Sequence, residues 1–135
     1  MKKDIQLRKV TDVAIAVVPK EDDPDNTDFW NVYIINLKEE TLSSVLIASR
    51  GYGEIDGEIV QTSTLRHFFE EISPLEMQLI EPLDSNILHL SSEYWVSFSL
   101  HGYLYDRKYI FVPGSIDKVN FTLIPFINKM GVMIR

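Results

Sequence analysis

Two short runs near the start of the chain limit what it can fold into. Residues 12–19, DVAIAVVP, and residues 29–37, FWNVYIINL, are dominated by Val, Ile and aromatic side chains and are bounded by polar or proline-containing stretches, the composition of β-strands. Successive side chains of a strand point to opposite faces. In the first run Val13, Ile15 and Val17 share one face and Ala14, Ala16 and Val18 the other; in the second, Phe29, Tyr33, Ile35 and Leu37 oppose Trp30, Val32 and Ile34. All of these sets are apolar, so both strands belong inside a sheet covered on both sides, by helices, by a second sheet or by another copy of the chain. The last option makes a homo-oligomer an expectation, with Trp30, Val32 and Ile34 as its interface if their face is the outer one.

The chain has 135 residues, 45% of them hydrophobic and 24% charged, which is enough for one domain with one core and too little for two. The expectation is a single domain over residues 1–135. Cysteine is absent, which excludes disulfides, thiolate nucleophiles and zinc–thiolate sites. The opening MKKDIQLRKV is basic, but the apolar run behind it, 13–18, is too short for the h-region of a leader, and no segment reaches the roughly 18 apolar residues of a membrane helix. These features predict a cytoplasmic protein with no membrane partner. The net charge of −7 is uneven: residues 1–20 and 101–135 each carry five basic and two acidic groups, while residues 21–100 carry three and sixteen. An acidic chain lacks the basic footprint that a phosphate backbone requires, so nucleic acid is not the expected partner. Basic ends packed beside an acidic middle are the simplest account of the asymmetry.

The stretch SRGYGEIDGE, residues 49–58, resembles a phosphate-holding loop. A dinucleotide fingerprint needs G-x-G-x-x-G opening a helix. Gly51 and Gly53 supply two of the glycines, but position 56 is Asp, and Glu54, Asp56 and Glu58 would oppose a pyrophosphate with only Arg50 to offset them. Asp56-Gly57 is instead a hairpin signal between a strand that begins at 42–49 and a β-rich segment at 58–62. The acidic stretch 21–28, EDDPDNTD, lacks the glycine and closing glutamate of a calcium loop and reads as a solvated hairpin loop.

Further along, Leu65, Phe68, Phe69 and Ile72 stand at i, i+3, i+4 and i+7, with Ser63 or Thr64 as cap and Ser73-Pro74 as stop. This spacing predicts a helix over 64–72 that lies on the sheet, with His67 and Glu71 paired on its surface. A short strand at 75–80 and an irregular link at 82–90 lead to a long strand from Tyr94, where Trp95, Ser97, Ser99 and His101 share one face. Gly102 marks a bulge, Asp106-Arg107 a turn, and 108–112 the next strand. The tail predicts one turn of helix within 121–129 and a last strand at 132–134. The fold class expected is therefore α+β, a predominantly antiparallel twisted sheet or sandwich with a clear helix at 64–72 and a second near 121–129.

No reaction is identified. Pro113-Gly114-Ser115-Ile116-Asp117 lacks the first glycine of a nucleophile elbow, and no Walker loop, H-E-x-x-H or internal repeat is present. No metal or cofactor is expected. What remains is the polar and aromatic face of the Trp95 strand, where Trp supplies contact area and Ser and His supply hydrogen bonds. The ligand-binding candidates are Trp95, Ser97, Ser99, His101 and Tyr103. The function expected is a non-catalytic cytoplasmic binding or interaction module that associates with itself or with a protein partner; the alternative is a small-molecule or hydrolytic activity in a pocket near Trp95 and His101.

The segments EYWVSF, YDRKYIFVPGSI and NFTLIPFINKMGVMI, together with SRGYG and TSTLRHFFE, resemble a family of small Bacteroidetes-type proteins of unknown function over nearly the whole chain. Some members carry the label of a phenylalanyl-tRNA synthetase alpha subunit. The present chain is far too short for that catalytic domain and has no ATP-binding motif of its class. The resemblance implies no activity and transfers no site residues.

Overall fold

The computed structural model describes residues 8–20 and 28–135. The segment 21–27, read above as part of a solvated loop, lies outside the described residues. The fold is a β-sandwich; of the described residues 64% are strand and 5% helical, and the helical part consists there of two single 3₁₀ turns, Ser85–Ile87 and Lys118–Asn120. The expected α+β class is therefore corrected to all-β.

Among the described residues ten strands form two antiparallel sheets: β1 (Val13–Pro19), β2 (Phe29–Asn36), β3 (Leu42–Ile55), β4 (Glu58–Gln61), β5 (Leu65–Ile72), β6 (Met77–Asp84), β7 (Ser91–Leu100), β8 (Tyr103–Phe111), β9 (Thr122–Ile124) and β10 (Lys129–Ile134). The first sheet has the order β6-β2-β1-β10-β9. In the second, β3 is flanked by β7 and then β8 on one side, and β4 and β5 share its other edge.

The covering of β1 answers the question raised by its two apolar faces. Val13, Ile15 and Val17 face the second sheet and join Trp30, Val32 and Ile34 of β2, Val45 and Ile47 of β3 and Val96 and Phe98 of β7 in one core. Ala14, Ala16 and Val18 face outward, yet they too are buried, in a smaller cluster with Ile35 and Ile124 and with Ile127 of the C-terminal hairpin packed against it. Small side chains on this face leave room for that hairpin to lie close. At Gly131 a Cβ would stand 2.5 Å from the carbonyl oxygen of Val17, so β10 approaches β1 only with glycine there. The expected interface residues Trp30, Val32 and Ile34 are 2%, 0% and 0% exposed; the second sheet covers them, and they offer no surface to a partner.

The segment expected as the helix at 64–72 is strand β5, paired with β3 from Leu42↔Ile72 to Ser49↔Leu65. Its true period is two: His67 and Phe69 turn toward the first sheet, and Arg66 and Phe68 point away from it. Opposite β5, Ser44 adopts φ +51°, and beyond that kink the inward residue is Ile72. The step of three from Phe69 to Ile72 imitates helical spacing. The long β3 also offers an edge whose backbone groups need partners, and β5 supplies them. Likewise 121–129 holds β9, a turn and the start of β10 rather than a helical turn.

Two tight turns have the same form. Ile55 pairs with Glu58 around Asp56 and Gly57, and Leu100 pairs with Tyr103 around His101 and Gly102. All four turn residues have positive φ, between 52° and 80°, as a two-residue turn matched to the strand twist requires. The glycine-rich stretch is thus a hairpin end, as expected from its sequence. Gly102, expected as a bulge, belongs to a turn, and Asp106-Arg107, expected as a turn, lies mid-strand in β8.

Candidate functional site

The antiparallel register assembles a site on the outer face of the second sheet. Across it, Arg66 of β5, Ala48 of β3, Trp95 of β7 and Lys108 of β8 stand opposite one another in one row; Phe68, Leu46, Ser97 and Asp106 form the next. Arg50 and Glu93 pair in a third row. The small side chains of Ala48 and Ser97 lie beside the large indole of Trp95, and the difference in height leaves an open basin of about 420 Å³. Its walls include Leu46, Arg50, Thr64, Arg66, Glu93 and Asp106.

Most of the charged groups here are already engaged. The Glu93 carboxylate, 6% exposed, accepts a 2.9 Å hydrogen bond from Nε of Arg50 and fixes that guanidinium at the wall. The indole N–H of Trp95 donates to Asp106, and the Lys108 ammonium lies 4.5 Å from the Trp95 ring centroid, a cation–π contact. Arg66 is exposed and has no hydrogen bond or ion pair among the described residues. Trp95 itself remains 44% exposed.

The structure gathers only part of the expected ligand set. Trp95 and Ser97 line the basin, and Ser99 is two residues further along the same strand. His101 sits in the β7–β8 turn, hydrogen-bonded to Glu40, away from the basin. Tyr103 pairs with Leu100, whose side chain belongs to the inter-sheet core, and its ring carries the Arg8 guanidinium at 3.7 Å. His101 and Tyr103 therefore lie outside the basin, which Trp95 and Ser97 line together with Leu46, Ala48, Arg50, Thr64, Arg66, Glu93 and Asp106. The alternation of Asp106, Lys108 and Ile110 on β8 would have indicated part of this face once His101-Gly102 is read as a turn.

A second polar constellation lies between the sheets, where β5 and β6 meet. The Glu81 carboxylate of β6 accepts from the Ser49 hydroxyl at 2.6 Å, meets Nε2 of His67 at 2.8 Å, and has the Tyr94 hydroxyl at 3.4 Å. Burial, followed by the negative charge of Glu81, pushes the Tyr94 hydroxyl well above its ordinary pKa. Ser, His and Glu in contact invite a catalytic reading, but the order is wrong for it. In a nucleophilic relay the imidazole stands between hydroxyl and carboxylate and takes the hydroxyl proton; here Ser49 and His67 both bond to the same oxygen of Glu81. The group is a polar latch from β6 of one sheet to β3, β5 and β7 of the other. The sequence expectation paired His67 with Glu71 along a helix; the actual partner lies on another strand.

Among the described residues no three His, Asp or Glu side chains are grouped to hold a metal ion, and no helix is long and apolar enough to cross a membrane. Compared with protein-family models and with curated proteins, the chain matches none.

Proposed function

We propose that the protein is a non-catalytic binding module that works through the outer face of its second sheet, at the Trp95 basin. The observation that supports this is an indole left 44% exposed at the wall of a concave site, with neighbouring ionic groups already fixed by partners. Large amphipathic side chains held rigidly beside polar groups are the means by which binding surfaces gain area at low entropic cost. The serine–carboxylate–histidine order described above gives no activated nucleophile, which supports binding over hydrolysis.

The test uses a blocking variant. Ala48→Arg, at an outward position between Trp95 and Arg66, fills the basin floor without entering the core. In a thermal-shift screen of small metabolites, a ligand at a hundred times its Kd stabilises the wild type by about 2.7 kcal/mol, and the variant loses that gain. Hits that stabilise both proteins equally would move the site elsewhere.

A second reading, self-association through the same face, is favoured by Leu46, Phe68 and Leu104, which are 42%, 64% and 54% exposed there. Sedimentation at rising concentration tests it. A dimer that survives Phe68→Asp would exclude this face as the contact.

A further inference from the structure

We infer that the basin takes a small organic acid, its carboxylate paired with Arg66 and its apolar body lying on Leu46, Ala48 and Trp95. This rests on the basin being the binding site and adds the class of ligand. Both carboxylates of the basin already accept hydrogen bonds, Glu93 from Arg50 and Asp106 from Trp95. The Arg66 guanidinium has no partner among the described residues, and the Thr64 and Ser97 hydroxyls at the wall make no side-chain hydrogen bond. Arg66 is therefore the charged group of the wall that no described residue engages, and a guanidinium binds carboxylates through two parallel N–H···O bonds.

Charge narrows the class further. Around the basin Arg50, Arg66 and Lys108 stand against Glu93 and Asp106, one more positive than negative charge; Arg50 is bonded to Glu93 and Lys108 rests on the Trp95 ring, while Arg66 has no hydrogen bond, ion pair or ring contact among the described residues. A single negative charge balances it. A phosphate dianion would add a second charge facing Glu93 and Asp106, and among the described residues the basin has no further free cation to meet it. The rest of the ligand must cover the exposed surface of Leu46 and Trp95, which water solvates poorly. A volume of about 420 Å³, near the low end of ligand sites, suits a body of one ring or a short aliphatic chain.

Calorimetry with phenylpropanoate, indole-3-acetate and hexanoate, each beside its neutral amide, tests the inference. The acids should bind at least about tenfold more tightly than the amides, a difference of about 1.4 kcal/mol. Arg66→Gln should abolish that preference, and Trp95→Ala should weaken acid and amide alike; circular dichroism confirms that both variants fold. Equal binding of acid and amide, or an acid preference that survives Arg66→Gln, overturns the ligand class. So does failure of every acid to bind. If neutral compounds then stabilise the wild type but not Ala48→Arg, the basin stands and only its ligand class falls; if no compound distinguishes these two proteins, the basin reading falls as well.

Discussion

The outer faces of the two sheets are built from different materials. On the first sheet Ala14, Ala16 and Val18 are small, and the C-terminal hairpin closes over them until they are 0%, 0% and 2% exposed. On the second, Phe68, Trp95 and Leu104 are large and stay 64%, 44% and 54% exposed, interleaved with Arg66, Asp106 and Lys108. Burial of small aliphatic groups is worth little per residue but permits close packing, whereas a large exposed aromatic leaves apolar area uncovered. A face made of the first kind closes on itself; a face of the second kind is available to bind.

Two alanines make this comparison breakable with one substitution. Ala16 is buried opposite Tyr33 and Met133, and Ala48 is half-buried opposite Trp95 and Arg66. Ala16→Glu should cost about 4 kcal/mol or more, because it buries a charge without a partner, while Ala48→Glu should stay within about 0.5 kcal/mol. Urea midpoints measure both, and similar losses would erase the distinction between the faces.

The latch between the sheets gives the next effect. Glu81→Ala leaves Ser49, His67 and Tyr94 without their shared acceptor and should destabilise by about 2–4 kcal/mol. Glu81→Gln, which keeps an acceptor oxygen, should recover part of it. No difference between the two variants would show that packing rather than hydrogen bonding holds the edge.

Alkaline pH probes the same interior. Burial pushes the Tyr109 hydroxyl, hydrogen-bonded to the Val13 carbonyl, up to about 12 from an ordinary 10, and Tyr94 is raised as well. A pKa that is higher folded than unfolded stabilises fully below the unfolded value and is lost as pH rises through the folded one. Stability should fall between about pH 10 and 12, by at most about 3 kcal/mol from Tyr109, and Tyr109→Phe should flatten the profile. A stability profile that Tyr109→Phe leaves unchanged would contradict this.

A small effect is expected of Phe68→Ala as well. A phenylalanine docking a helix onto the sheet would cost about 3–5 kcal/mol on truncation; one that is 64% exposed on β5 should cost less than about 1 kcal/mol. The two figures separate helix from strand at residues 64–72.

Local chemistry made some of this legible in advance. The strands at β1 and β2 follow from β-branched runs, and the turn at Asp56-Gly57 from a dipeptide suited to positive φ. The antiparallel sheets are observed; the helices are not. Residues 65–72 misled because a kink shifted which side chains point inward, and that shift depends on the pairing partner β3 rather than on residues 65–72 themselves. Trp30, Val32 and Ile34 had the composition of a covered face, but a second sheet and a second copy of the chain present the same apolar cover to a single sequence. Of the site, Trp95 and Ser97 were visible from alternation on one strand. Arg66, Ala48 and Asp106 reach the basin from three other strands, and no spacing along the chain encodes that meeting.

The two tryptophans occupy opposite environments. Trp30 is 2% exposed, hydrogen-bonded to Ser85 and edge-on to Phe121, whereas Trp95 stands at the basin under Lys108. The chain therefore contains two built-in optical reporters with separate duties. Iodide should quench the emission of Trp95 and leave that of Trp30 untouched until the sandwich opens. A Trp30→Phe protein reports on occupancy of the basin alone and a Trp95→Phe protein on the integrity of the core alone, so one cuvette can follow recognition and unfolding as independent signals.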